Sequence, residues 1–115
     1  MKEIKGEQYK VNYKQESTTI NFEGSLRRMG MTDYQPIENF MNEILDQNLG
    51  EITLDLCELV FLNSAGFRML SKFVIAVRKQ AKTQIVVKGN QAITWQNTSL
   101  KNLQKLMPSL ILKWD

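Results

Sequence analysis

The chain has 115 residues, 43% apolar and 23% charged, with a formal net charge of +3. This composition fits a single globular domain over residues 1–115 with its own core, and it excludes a disordered chain. With no histidine and a single cysteine, Cys57, it also excludes an internal disulfide, a Ser-His or Cys-His nucleophile and a histidine-based metal site. No apolar run approaches the ~20 residues of a membrane span. The opening MKEIKGEQYK lacks the apolar core of a signal peptide, so a soluble, cytoplasmic protein is expected.

Tyr9 to Lys14 alternates as a strand does, with Tyr9, Val11 and Tyr13 on one face. Gln15-Glu16-Ser17 suits a turn, and Thr18 to Glu23 resumes the alternation with Ile20 and Phe22, which predicts an antiparallel pair. Gly24 to Thr32 reads as a loop containing Arg27-Arg28. Thr32 or Asp33 then caps a helix carrying Ile37, Met41, Ile44 and Leu45, ended by Asn48-Leu49-Gly50 with Gly50 left-handed.

Glu51 to Leu56 is a strand, followed by the near-continuous apolar run Leu59-Val60-Phe61-Leu62. The small and polar residues Asn63-Ser64-Ala65-Gly66 then open a long helix to about Lys82. It has one apolar stripe of Phe67, Leu70, Val74, Val77 and Ala81 and a second of Met69, Phe73 and Ala76. Thr83 to Lys88 is a strand. NTSLKNLQKLMP is a short helix capped by Thr98 or Ser99 and stopped by Pro108, and Leu110 to Trp114 is a last strand. The order β-β-α-β-α-β-α-β predicts an α/β fold, a mixed sheet with helices packed mainly on one face.

A serine at a helix start lies beside unpaired amides and the positive end of the helix dipole. Asn63 or Ser64 can simply cap the helix. A phosphate on Ser64 would equally be accommodated there, with Arg68 one turn on along the same face. The chain offers no clustered carboxylates, no nucleotide loop and no base for Ser64, so catalysis, a metal and a cofactor are not expected. Asp55 reads as an acceptor for a neighbouring loop, Cys57 as a small buried hydrophobe and Trp95 as a packed loop residue. Arg27-Arg28 reads as a solvated loop, because no phosphate-binding turn surrounds it.

After Glu58 the only acidic residue is Asp115, while nine of the 15 Lys and Arg residues lie there. A basic half is either a solvated lysine face or a surface for an acidic partner. Lacking a compact basic cluster, it gives no expectation of nucleic-acid binding. The asymmetry also offers a route to weak head-to-tail self-association.

The element order and the central sequence ITLDLCEL, then VFLNSAG, then a long helix resemble the STAS domain, the fold of bacterial anti-sigma factor antagonists. In that family the run ends in Asp-Ser-Ser/Thr-Gly followed by Leu-Gly. Ser64 and Gly66 match, while Asn63 stands for the Asp, Ala65 for the Ser or Thr, Phe67 for the Leu and Arg68 for the second glycine. The resemblance implies a non-catalytic regulatory interaction module. Ser64 would be phosphorylated by a kinase-like anti-sigma factor and reset by a serine phosphatase. Asn63, Ser64, Ala65, Gly66, Arg68, Met69 and Lys72 would form the partner surface. It equally implies the alternative of a static adaptor subunit without a phosphoswitch, which Ala65 and Arg68 favour.

Overall fold

The computed structural model describes residues 2–28 and 30–115. Six strands form one sheet: β1 (Lys2–Lys5), β2 (Tyr9–Lys14), β3 (Thr19–Leu26), β4 (Glu51–Leu62), β5 (Gln84–Gly89) and β6 (Ile111–Trp114). Three helices connect the last four strands: α1 (Gly30–Leu45), α2 (Ser64–Gln80) and α3 (Thr94–Leu106). Strands lie side by side in chain order. β1, β2 and β3 pair antiparallel; β3, β4, β5 and β6 pair parallel.

Right-handed crossovers that always step the same way along a sheet place their helices on one face. Accordingly α1 packs on α2 and α2 on α3. The cross-strand row Ile20–Leu54–Val87 points beneath them and is fully buried. One residue along, the row Asn21–Asp55–Lys88–Lys113 points to the opposite, helix-free face. The period-two pattern thus divides the sheet into a core face and a polar face.

Four sequence expectations are corrected. An additional strand, β1, precedes the expected hairpin; its KEIK sequence carries too little apolar alternation to signal it. β3 continues through Gly24 to Leu26, and α1 begins at Gly30, ahead of the expected Thr32 or Asp33 cap. Gly24 is a strand residue with φ +87°, at a point where an added Cβ would lie 2.1 Å from the Gln8 carbonyl oxygen. After α1 the left-handed residue is Asn48, φ 57°, and not Gly50. Finally, α3 starts at Thr94, so Trp95 is helical and neither Thr98 nor Ser99 caps it.

The Leu56 and Leu59 runs belong to one 12-residue strand whose register against β3 slips twice, between Asn21 and Glu23 and between Gly24 and Ser25. Such bulges insert residues into one strand and re-aim those that follow. The slip brings both Leu56 and Leu59 into the core, although odd spacing would put them on opposite faces. Gln96, fully buried, braces this irregularity. Its Nε2 donates to the Leu56 carbonyl at 2.7 Å and the Leu59 carbonyl at 3.1 Å, and its Oε1 accepts from the Asn90 amide at 2.8 Å. Trp95 Nε1 adds a donation to the Leu59 carbonyl at 3.1 Å. Carbonyls freed from the ladder are thereby satisfied by α3.

Candidate functional site: the β4–α2 junction

One residue, Asn63, joins β4 to α2. Its extended backbone makes it the N-cap, and its Oδ1 accepts from the Gly66 amide at 2.9 Å. The same oxygen accepts from the Tyr34 hydroxyl of α1 at 2.8 Å. Its Nδ2 donates to the Arg28 carbonyl at 2.8 Å, and the Arg28 amide in turn donates to the Tyr34 hydroxyl at 3.3 Å. The Asn63 amide donates to the Leu26 carbonyl at 3.1 Å. The side chain therefore locks α2, α1 and the β3–α1 loop together. An aspartate could accept from Tyr34 and Gly66, but its second oxygen would face the Arg28 carbonyl with no hydrogen to give. That contact explains an amide where the resembling family has an acid.

Tyr34 is fully buried, and burial holds its phenol above the usual tyrosine range, partly countered by Arg28. It remains the donor that the lock requires. Gly66 lets these elements close. An added Cβ would lie 2.3 Å from Leu62 Cδ1 and 2.8 Å from the Tyr34 hydroxyl.

Ser64 is the first residue of α2 and is exposed. Because Asn63 holds the cap, the Ser64 hydroxyl has no side-chain hydrogen bond among the described residues. The capping alternative is thus settled in favour of Asn63. Ala65 is half-buried against the core, and Arg68 is exposed. Met69 is only 1% exposed; it lies in the floor of a groove of about 210 Å³ between α1 and α2 and presents no contact surface of its own. Gly66 is buried as well. Lys72 rims the same groove and pairs with Glu38 of α1 at 2.9 Å, its own side chain 57% exposed. Of the seven residues expected at the partner surface, Ser64, Arg68 and Lys72 are exposed, Asn63 and Ala65 are half-buried, and Gly66 and Met69 are buried.

Sequence reading missed Tyr34 and Arg28 as parts of the site. Tyr34 carried a signal, being a phenol on an otherwise apolar stripe that needs a partner when buried. The Arg28 backbone carried none. The arginines are not simply solvated: the Arg27 guanidinium stacks 4.2 Å from the Phe61 ring centre, and that of Arg28 lies 5.8 Å from Tyr9. Asp55 accepts from the amide of Cys57 in its own strand, at 3.1 Å, and not from a neighbouring loop. Cys57 is half-buried; burial, then Asp115 and Asp55, push its thiol up to about 12. No described helix is long and apolar enough to cross a membrane.

Searched by sequence, the chain matches no family model and no curated protein. Solved structures do match its shape. One is a chain of the crystal structure of the diguanylate cyclase SiaD in complex with its activator SiaC from Pseudomonas aeruginosa. It has 9% identity and a TM-score of 0.73, over 100% of both chains. SiaC of Pseudomonas aeruginosa aligns at 10% identity and a TM-score of 0.70, over 98% of this chain and 97% of that one. The architecture is thus a SiaC-like mixed α/β fold, six strands and three helices, in agreement with the class expected from sequence.

Proposed function

We propose that this chain is a non-catalytic adaptor of STAS type, which acts by binding another protein at the β4–α2 junction and the exposed side of α2. The observation that carries this reading is the Asn63 lock. It fixes three elements around the start of α2 while Ser64, Arg68 and Lys72 remain at the surface. Rigid presentation lowers the ordering cost of docking. SiaC, whose fold this chain shares, is described as the activator of an enzyme with which it forms a complex; a fixed adaptor or activator role is the direct analogue here.

Ser64 supports a second reading. Its hydroxyl is exposed, lies at a helix N-terminus and has no capping duty. A kinase-like anti-sigma factor would transfer the γ-phosphoryl group of ATP to Ser64 Oγ, with ADP leaving and the hydroxyl proton passing to the kinase. A serine phosphatase would hydrolyse the ester. The phosphate would add about −1.5 to −2 charges beside the docking face.

Affinity capture from lysate with wild-type, Ser64→Ala and Ser64→Asp baits tests both readings, with phosphate mapped on the recovered wild type. A protein held equally by all three, with Ser64 unmodified, identifies a fixed adaptor. A protein lost only by Ser64→Asp identifies a switch. Baits that retain no protein above a scrambled-surface control would overturn the adaptor reading.

A further inference from the structure

Charge is sorted by helix. α1 contains Asp33, Glu38 and Glu43 and no Lys or Arg; α2 contains Arg68, Lys72, Arg78 and Lys79 and no Asp or Glu; α3 contains only Lys101 and Lys105. On α2, Ser64, Arg68, Lys72, Ile75 and Lys79 follow one another at three- and four-residue spacing, which aligns them along one side of a helix. That side points away from the sheet, since the buried residues Gly66, Leu70, Val74 and Val77 occupy the opposite one. Arg68, Lys72 and Lys79 are exposed and Ile75 is half-buried. Arg78 Nη1 donates to the Leu106 carbonyl at 2.9 Å and so ties α2 to the end of α3.

Resting on the adaptor reading, we infer that this outer row of α2 docks an acidic protein surface. Three observations carry the inference. The row is cationic and α2 contributes no acid to it; Lys72 is already paired with Glu38 of α1, so Arg68 and Lys79 are the cations whose complement is a surface bearing Asp and Glu. It is continuous with Ser64 and begins at the positive end of the helix dipole. Between Lys72 and Lys79 it carries Ile75, and a half-buried apolar residue bordered by cations has the anatomy of a protein interface. A nucleic-acid footprint would instead cluster its Lys and Arg. The polar face of the sheet provides the contrast, with Lys88 and Lys113 interspersed with Asp55 and Asn21.

A fluorescein-labelled oligo-glutamate, followed by anisotropy, is the probe. Two double variants remove equal charge from opposite faces: Arg68→Gln with Lys79→Gln on α2, and Lys88→Gln with Lys113→Gln on the sheet. Both keep the Lys72–Glu38 pair. The α2 variant is expected to weaken binding roughly fivefold, which is about 1 kcal/mol in all for the loss of two exposed ion pairs. The sheet variant should stay within about twofold, because charges beyond the ~8 Å Debye length are screened at physiological salt. Ser64→Glu should weaken binding in the same direction as the α2 variant, and Ser64→Ala should not. Equal loss from both double variants would mean that only net charge matters, and would overturn the inference. So would face-specific loss seen with duplex DNA but not with oligo-glutamate. The probe does not depend on the natural partner: failure here with a protein still captured in lysate removes this surface and leaves the adaptor reading standing.

Discussion

Two strand-to-helix junctions lie at the same end of the sheet, and each is built on an asparagine. Asn63 ends β4, and its amide reaches back to a carbonyl beyond β3; Asn90 follows β5, and its amide reaches back to the Cys57 carbonyl of β4 at 3.3 Å. Both place a hydroxyl residue first in the following helix, Ser64 in α2 and Thr94 in α3. The difference lies in what the carbonyl oxygen does. Asn63 Oδ1 caps α2 directly and accepts from the Tyr34 hydroxyl as well, whereas Asn90 Oδ1 accepts from Ala92 within a turn, at 2.9 Å, and α3 starts after Ile93 with no side-chain cap. One junction is a lock that ties three elements; the other is a spacer. The lock fixes the backbone that carries Ser64, which is what a partner or a modifying enzyme can recognise.

Substitutions can break this contrast at graded cost. Asn63→Ala removes the cap and leaves the buried Tyr34 hydroxyl unpaired, and should lower unfolding free energy by about 3 kcal/mol. Asn90→Ala should cost about half as much; equal losses in urea titrations of the two variants would erase the distinction. Gln96→Leu takes the Gln96 donor from the Leu56 carbonyl and the acceptor from the Asn90 amide, while Leu59 keeps Trp95, and should cost about 2 kcal/mol. Amide exchange in β4 should then quicken around Leu56 to Leu59 before the strand as a whole opens. Gly66→Ala forces Leu62 and Tyr34 apart and should cost about 1–3 kcal/mol. Ser64→Ala should change stability by less than about 0.5 kcal/mol, since the serine caps nothing. A larger loss in thermal melts would return the serine to a structural role.

The last expected effect concerns Cys57 and shows only at high pH. Its folded-state thiol, pushed up to about 12 from an ordinary 9.0, holds its proton more firmly than the unfolded thiol does. Its contribution to stability is therefore complete below pH 9 and is lost as pH rises toward about 12. Denaturant midpoints measured from pH 7 upward should fall more steeply in the wild type than in Cys57→Ala. Parallel slopes would contradict the shift.

Periodicity made the central elements legible. The apolar stripes of α1 and α2 and the alternation in β2 and β3 report burial, and burial is set locally by spacing. The signals failed where other forces decide. β1 is held by pairing with β2 and not by an apolar face of its own. The first turn of α3 forms because Trp95 and Gln96 are needed against the β4 bulge, a contact invisible to a window of neighbouring residues. Within the site, the motif located Asn63, Ser64 and Gly66. It could not divide labour among them, because the division depends on Tyr34 and Arg28, brought in from another helix and another loop.

Strand order equal to chain order has a consequence for how the molecule comes into being. Each strand finds its partner in the strand made just before it, so the loops to be closed stay short and the entropy of closing them stays small. The two antiparallel pairs close over short turns, whereas each parallel pair waits on a crossover that contains a helix and is the slower step. On the ribosome, β1 to β3 can pair before α1 has emerged, and each helix–strand unit can dock onto an edge already waiting for it. The Asn63 lock closes once α2 is available, and does not wait for α3 and β6 to dock.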